Sequence, residues 1–320
     1  MFKFRSCLIL CSALVATMAS FATAGEPSPA RVQRLGHYTL PRTHDFLLTS
    51  REGLEYRLLV AEPDSEAPPE GFPVLYVLDA NSCFGTVVEA QRVQARRREK
   101  TGVAPLLIVG IGYPGDEPFD TVRRTLDYTI PADSEKLPPR RDGSDWPPHG
   151  GADAFLDFIE TEVKPVIEGR FQVDRQRQAI FGHSFGGLFV LHALFTRPDA
   201  FQGYIASSPS VWWNDYALLT EEKAFRERCR RSPVNVRLKV IRGELEKGRG
   251  PAAQLPATPS STAFGGTKKM AARLGELAER GITVEFQEIP NENHGSVIPV
   301  AINRGVRFAS VADDDAPNGD

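Results

Sequence analysis

The feature that most limits what this chain can fold into is a succession of short, nearly all-apolar runs separated by stretches of helical spacing. Pro73 to Asp79, Leu106 to Gly112, Gln178 to Phe181, Gly203 to Ser207, Val236 to Ile241 and Thr283 to Ile289 are each short and mostly apolar or β-branched. Runs of this length that do not alternate polar with apolar residues are strands buried on both faces, as in a parallel sheet covered by helices. Phe46 to Glu62 alternates instead and reads as one or two half-exposed strands. Helical patterns fill the gaps at Phe84–Lys100, Ala152–Ile167, Leu188–Thr196, Tyr216–Arg230, Lys268–Arg280 and Ser296–Phe308. In the second of these, Phe155, Phe158, Ile159, Val163 and Val166 form one apolar face. Strand and helix alternating over most of the chain predict a single doubly wound α/β domain with a mostly parallel sheet.

The ends are of a different character. Lys3 and Arg5, an apolar run from Cys7 to Met18 and the exit Ala22-Thr23-Ala24 have the order of an export signal, with cleavage expected after Ala24. That run is too short to span a bilayer. The expected organisation is a signal peptide over 1–24, one α/β domain over 25–312 and a disordered acidic tail over 313–320, in a periplasmic or secreted protein. Removing the leader takes away two basic residues and no acidic ones, leaving 36 against 41. A chain of that balance has no general field for nucleic acid, so an anionic ligand must be held locally. Two cysteines remain, Cys83 and Cys229, which fit no metal or disulfide framework and are expected as buried thiols.

Two connections exceed ordinary turns. Tyr113 to Gly150 carries seven prolines together with Arg123, Arg124, Arg140, Arg141 and Trp146, and is expected to form an ordered wall over a site. Lys247 to Gly266 is rich in Gly, Pro, Ser and Ala and is expected to be mobile.

The chemistry concentrates in Gly182-His183-Ser184-Phe185-Gly186-Gly187, directly after one apolar run and before an apolar helix. A serine on so sharp a strand-to-helix turn needs flanking glycines, because no room remains for side chains there. Its hydroxyl is a weak nucleophile until a base takes the proton. His294 follows the last strand and so reaches the same sheet edge; His183 and His192 are read as packing residues. The acid that orients His294 should follow the preceding strand, where Glu246 is preferred and Glu244 held in reserve; a Ser-His dyad without the acid stands as the alternative. The oxyanion donors are expected from the backbone N–H groups of Phe185 and Asn81. Arg124 either pins an anionic or carbonyl group of the substrate or pairs with Asp127 to order its loop. Trp212 and Trp213 either stack aromatic rings of a substrate or pack internally. No pattern calls for a metal or an organic cofactor, and the partner expected is a small-molecule ester.

Several separated motifs resemble one family. Gly182-His-Ser-Phe-Gly-Gly, Arg124-x-x-Asp127-Tyr-Thr, Gly150-Gly-Ala-Asp-Ala-Phe-Leu, Ser207-Ser-Pro-Ser-Val-Trp-Trp213 and Asn293-His-Gly-Ser296 together look like the esterase-D-like branch of the α/β-hydrolases. Within it the chain is most similar to esterases that open enterobactin-type trilactone siderophores, over roughly Leu54 to Phe308. The resemblance implies Ser184 as nucleophile, His294 as base and Arg124 in the active site, with a ferric catecholate as substrate. The chain departs from many relatives in having Ala80 where they have glycine, and in its long Lys247 to Gly266 segment. The other readings are an esterase or acyltransferase for feruloyl or acetyl sugar esters, and a non-catalytic binding protein on a hydrolase scaffold.

Overall fold

The computed structural model describes residues 36–140, 142–246 and 258–311. The expected signal peptide with its cleavage site, the acidic tail, Arg141 and residues 247–257 of the second long connection lie outside the described residues. Residues 36–39 fall in a separate unit, Met1–Thr39, and carry no helix or strand; every element belongs to the unit Leu40–Asp320.

Eight strands form one sheet: β1 (Thr43–Thr49), β2 (Glu55–Ala61), β3 (Phe72–Val77), β4 (Leu107–Gly112), β5 (Val173–His183), β6 (Gly203–Ser207), β7 (Val236–Gly243) and β8 (Ile282–Ile289). Their order is β1-β2-β4-β3-β5-β6-β7-β8. The first two strands pair antiparallel and β2 meets β4 antiparallel; all later pairs are parallel. Every residue of β3, β4 and β6 is buried, as continuous apolar runs require, whereas β8, expected among them, is an edge strand in which only Ile282 and Ile289 are buried because polar residues alternate along it. Alternate residues of β3 supply two different cores: Val74 and Tyr76 join the one with Phe155 and Phe189, while Leu75 and Val77 join the one with Phe84 and Ile302. Cys83 and Cys229, both buried and free of a disulfide, belong to these opposite cores. No described helix is long and apolar enough to cross a membrane.

Several elements differ from the sequence expectation, among them the helix Thr121–Tyr128 inside the connection read as a loop. The expected helix from Ala152 to Ile167 is interrupted by a π-helical turn at Ile159–Val163, just before Pro165, whose missing N–H and bulky ring disfavour a regular i to i−4 ladder there. The first helix runs over Ala80–Ala95 and not Phe84–Lys100; it starts early because Asp79 breaks the strand with φ 51. The segment expected to be mobile contains the helix Pro259–Phe264, closed by a reciprocal cap between Thr258 and Ser261 and anchored by buried Phe264. That cap, with proline at the first turn, was a readable signal.

The chain runs from β3 outward to β4 and then returns to β5 on the other side of β3, so the winding reverses there. A crevice at the carboxyl ends of the strands is the expected ligand position at such a reversal.

Candidate active site

The loops leaving β3, β5, β6, β7 and β8 carry Asp79, Ser184, Ser208, Glu246 and His294. Five parallel neighbours bring these five loops to one edge.

At the end of β5 the chain enters the helix Phe185–Thr196 with a single residue between them, and Ser184 takes φ 59, ψ −114. A Cβ on Gly182 would lie 2.2 Å from the Gly186 carbonyl oxygen, and one on Gly187 2.8 Å from that of Ser207. Both glycines are therefore steric requirements of the turn. The Ser184 N–H donates to Ser207 and the Ser184 carbonyl accepts from the Ser210 N–H, which fixes the elbow against the loop after β6.

Ser184 Oγ lies 3.1 Å from His294 Nε2, and His294 Nδ1 lies 2.9 Å from Glu246 Oε2. A carboxylate only accepts, so the proton of the neutral ring sits on Nδ1 and leaves Nε2 free to accept from the serine. Glu246 Oε1 accepts from Ser208 Oγ and from the Gly243 N–H, both at 2.7 Å. Burial pushes the Glu246 carboxyl up, but bonds from His294, Ser208 and Gly243 outweigh it and hold it below the ordinary glutamate value. Glu244 points elsewhere, accepting from the Asn291 N–H at 3.3 Å. The histidine loop is shaped by Asn293, whose Oδ1 accepts from the N–H groups of Gly295 and Ser296. It also lies against β7: a Cβ on Gly243 would be 2.3 Å from the Glu292 carbonyl oxygen.

Phe185 is the first residue of its helix and Asn81 the second of the helix Ala80–Ala95, positions whose N–H groups lack intrahelical acceptors. The Asn81 side chain is committed elsewhere, donating to the carbonyls of Tyr113 and Gly115 and accepting from the Tyr113 N–H. Only its backbone is left to face a ligand.

Two expectations need correction. Arg124 does not pair with Asp127: it forks onto Asp79, while Arg123, its neighbour on the helix Thr121–Tyr128, is the arginine beside Asp127 at 3.9 Å. Trp213 does not face a ligand: it is completely buried, its Nε1 donating to the Ile130 carbonyl at 2.8 Å, and its ring meets Trp146 and Phe185 edge-on. Trp212 is the one that lines the cavity beside Ser184 and His294. That cavity has a volume of about 730 Å³, and Tyr216, Phe264 and Arg242 also line it.

Four residues of the site were not read as part of it from the sequence. Ser208 and Ser210 touch Glu246 and Ser184, with Ser210 Oγ 3.2 Å from Ser184 Oγ. Polar residues immediately after an apolar strand were the signal for them. Asp79 is nearly inaccessible beneath Arg124. His183, expected as packing, is buried but also bonds Ser207 Oγ through Nδ1 at 3.1 Å, and its ring lies tilted at 47° to that of His294.

Residues 50–241 match the Esterase family model, described as "Putative esterase". The chain is 45% identical to the ferri-bacillibactin esterase BesA of Bacillus subtilis over 273 residues, covering 85% of this chain and 91% of that one. It is 36% identical to the siderophore enterobactin esterase of Emericella nidulans over 255 residues, 74% of this chain and 81% of the other. Among solved structures, the BES protein from Bacillus cereus superimposes with a TM-score of 0.77 at 36% identity, covering 88% of this chain and all of that one.

Proposed function

The chain belongs to the esterase family of α/β-hydrolases, and on that premise we propose that it is an exported serine esterase that opens catecholate trilactone siderophores through an acyl-enzyme. Support for the substrate comes from the relatives named for ferri-bacillibactin and enterobactin, and from an aromatic cavity beside Ser184. Support for the mechanism comes from the unbroken hydrogen-bonded chain Ser184–His294–Glu246.

Ser184 Oγ attacks the ester carbonyl carbon as its proton passes to His294 Nε2. Glu246 keeps Nδ1–H aligned and stabilises the imidazolium. The tetrahedral oxyanion faces the Phe185 and Asn81 N–H groups, which were aligned before charge developed and need not reorganise. Collapse expels the alkoxide of the lactone, which recovers the proton from His294. Water then attacks the acyl-enzyme by the same route in reverse, releasing a linear ester with one fewer closed bond. Trp212 offers a face for a catechol ring.

Export is read from residues 1–24. Mass spectrometry of the periplasmic or secreted protein is expected to find Gly25 as the first residue; an intact Met1 there overturns the cleavage reading.

The mechanism is tested with p-nitrophenyl acetate: wild type turns over, while Ser184→Ala and His294→Ala do not. Equal rates in all three would sink it. The substrate is tested by product analysis with apo and ferric enterobactin and bacillibactin beside feruloyl and acetyl sugar esters. Cleavage of sugar esters with no siderophore opened would reject the substrate assignment and leave the esterase.

A further inference from the structure

Between the end of β3 and the helix Ala80–Ala95, Asp79 adopts φ 51, ψ 45. This left-handed conformation is unfavourable for most side chains and tolerated by Asp and Asn. Every polar group of Asp79 is engaged. Its carboxylate receives Arg124 Nε on Oδ1 and Nη2 on Oδ2, both at 3.0 Å. Its N–H donates to Tyr128 Oη at 3.2 Å, and its carbonyl accepts from the N–H groups of Ser82 and Cys83. Side-chain exposure is 2% for Asp79 and 12% for Arg124, so the pair sits away from bulk water.

Both halves of the oxyanion site named above meet this pair. Ala80 and Asn81 follow Asp79 directly. On the other side, the Arg124 guanidinium lies 5.5 Å from the centre of the Phe185 ring, and Asp79 Oδ2 is 3.7 Å from where a Cβ on Gly186 would stand. A two-pronged arginine–carboxylate contact fixes orientation as well as distance. It also leaves no net charge beside the developing oxyanion, which a lone carboxylate would repel.

We infer that Asp79 is a positioning residue for ester hydrolysis, its fork with Arg124 holding the Asn81 amide in register with the Phe185 amide. This deepens the serine-esterase reading and rests on it. It gives Arg124 a task on every ester, including those with nothing anionic to bind.

The test uses p-nitrophenyl acetate, which has neither carboxylate nor catechol, and a boronic acid that forms a tetrahedral adduct on serine. Asp79→Asn keeps a residue at ease in the left-handed conformation, while removing the charge and turning one of the two oxygens that accept from Arg124 into a donor. It is expected to lower kcat about 10²-fold, as loss of an oxyanion donor does, with KM within about twofold. Boronic acid affinity should fall by the same factor as kcat/KM. Arg124→Gln should match it, and Asp79→Asn/Arg124→Gln, which leaves no buried charge, should be no worse than either single variant. Fluorophosphonate titration of Ser184 and a melting curve confirm the folded fraction of each. Wild-type kcat in Asp79→Asn or in the double variant, with Ser184→Ala inactive, overturns the inference alone. Turnover by Ser184→Ala overturns the serine mechanism beneath it.

Discussion

The imidazole of His183 lies 4.6 Å from that of His294, centroid to centroid, with its own Nδ1 on Ser207 Oγ. Burial, reinforced by the neighbouring His294, pushes the His183 pKa down to about 3. The folded protein thus holds this ring neutral while the unfolded chain protonates near the ordinary histidine value of roughly 6.5. Its contribution to stability is complete above that value and declines as pH falls from there to about 3. The loss reaches at most about 5 kcal/mol. Denaturant midpoints measured from pH 7 to 4 should fall more steeply for wild type than for His183→Gln; parallel curves would contradict the assignment.

Glu246 moves in the opposite sense. Because its folded pKa is depressed, its stabilising contribution is present above the ordinary glutamate range and disappears as pH falls through the lower folded value. At neutral pH, Glu246→Gln is expected to reduce kcat on p-nitrophenyl acetate by about 10³–10⁴, since an amide can present its N–H to His294 and reverse the tautomer. Ser208→Ala removes only one of the bonds to Glu246 and should cost about tenfold. Steady-state kinetics of both variants decide it, and a near wild-type Glu246→Gln would support a dyad.

The elbow glycines can be compared with one that has space. Gly182→Ala would drive a methyl group into the Gly186 backbone, and at Gly187 it would meet the Ser207 carbonyl. Each should cost about 3 kcal/mol or more and deplete soluble protein. Gly85 lies inside the helix Ala80–Ala95 with nothing within 4 Å of a Cβ, so Gly85→Ala should stabilise by up to about 1 kcal/mol. Thermal melts of the three variants give the ranking.

The adjacent tryptophans should separate in the same experiment. Trp213→Ala empties a fully buried site and should destabilise by about 3–5 kcal/mol. Trp212→Ala, at the cavity wall, should leave the melting temperature within a few degrees while raising KM for aromatic esters several-fold. A melting loss in Trp212→Ala as large as that in Trp213→Ala would refute the distinction.

Much of this molecule was legible in its residues. Runs such as Pro73 to Leu78 and Leu106 to Gly112 could be read as doubly buried strands because burial on both faces leaves no place for polar side chains. Ser184, Glu246 and His294 could be placed together because parallel strands send their following loops to one edge whatever lies between them. What local pattern could not decide was pairing across those loops. Asp127 was the acid that the sequence offered to Arg124, yet Arg124 took Asp79, 45 positions away, over Asp127 on its own helix. Trp212 and Trp213 are the same residue type one position apart, yet one lines the cavity and the other fills the core. Strand burial and strand-end placement follow from period and order along the chain. Ion-pair partners and the facing of single side chains follow from which loops meet in space, and only the packed sheet brings those together.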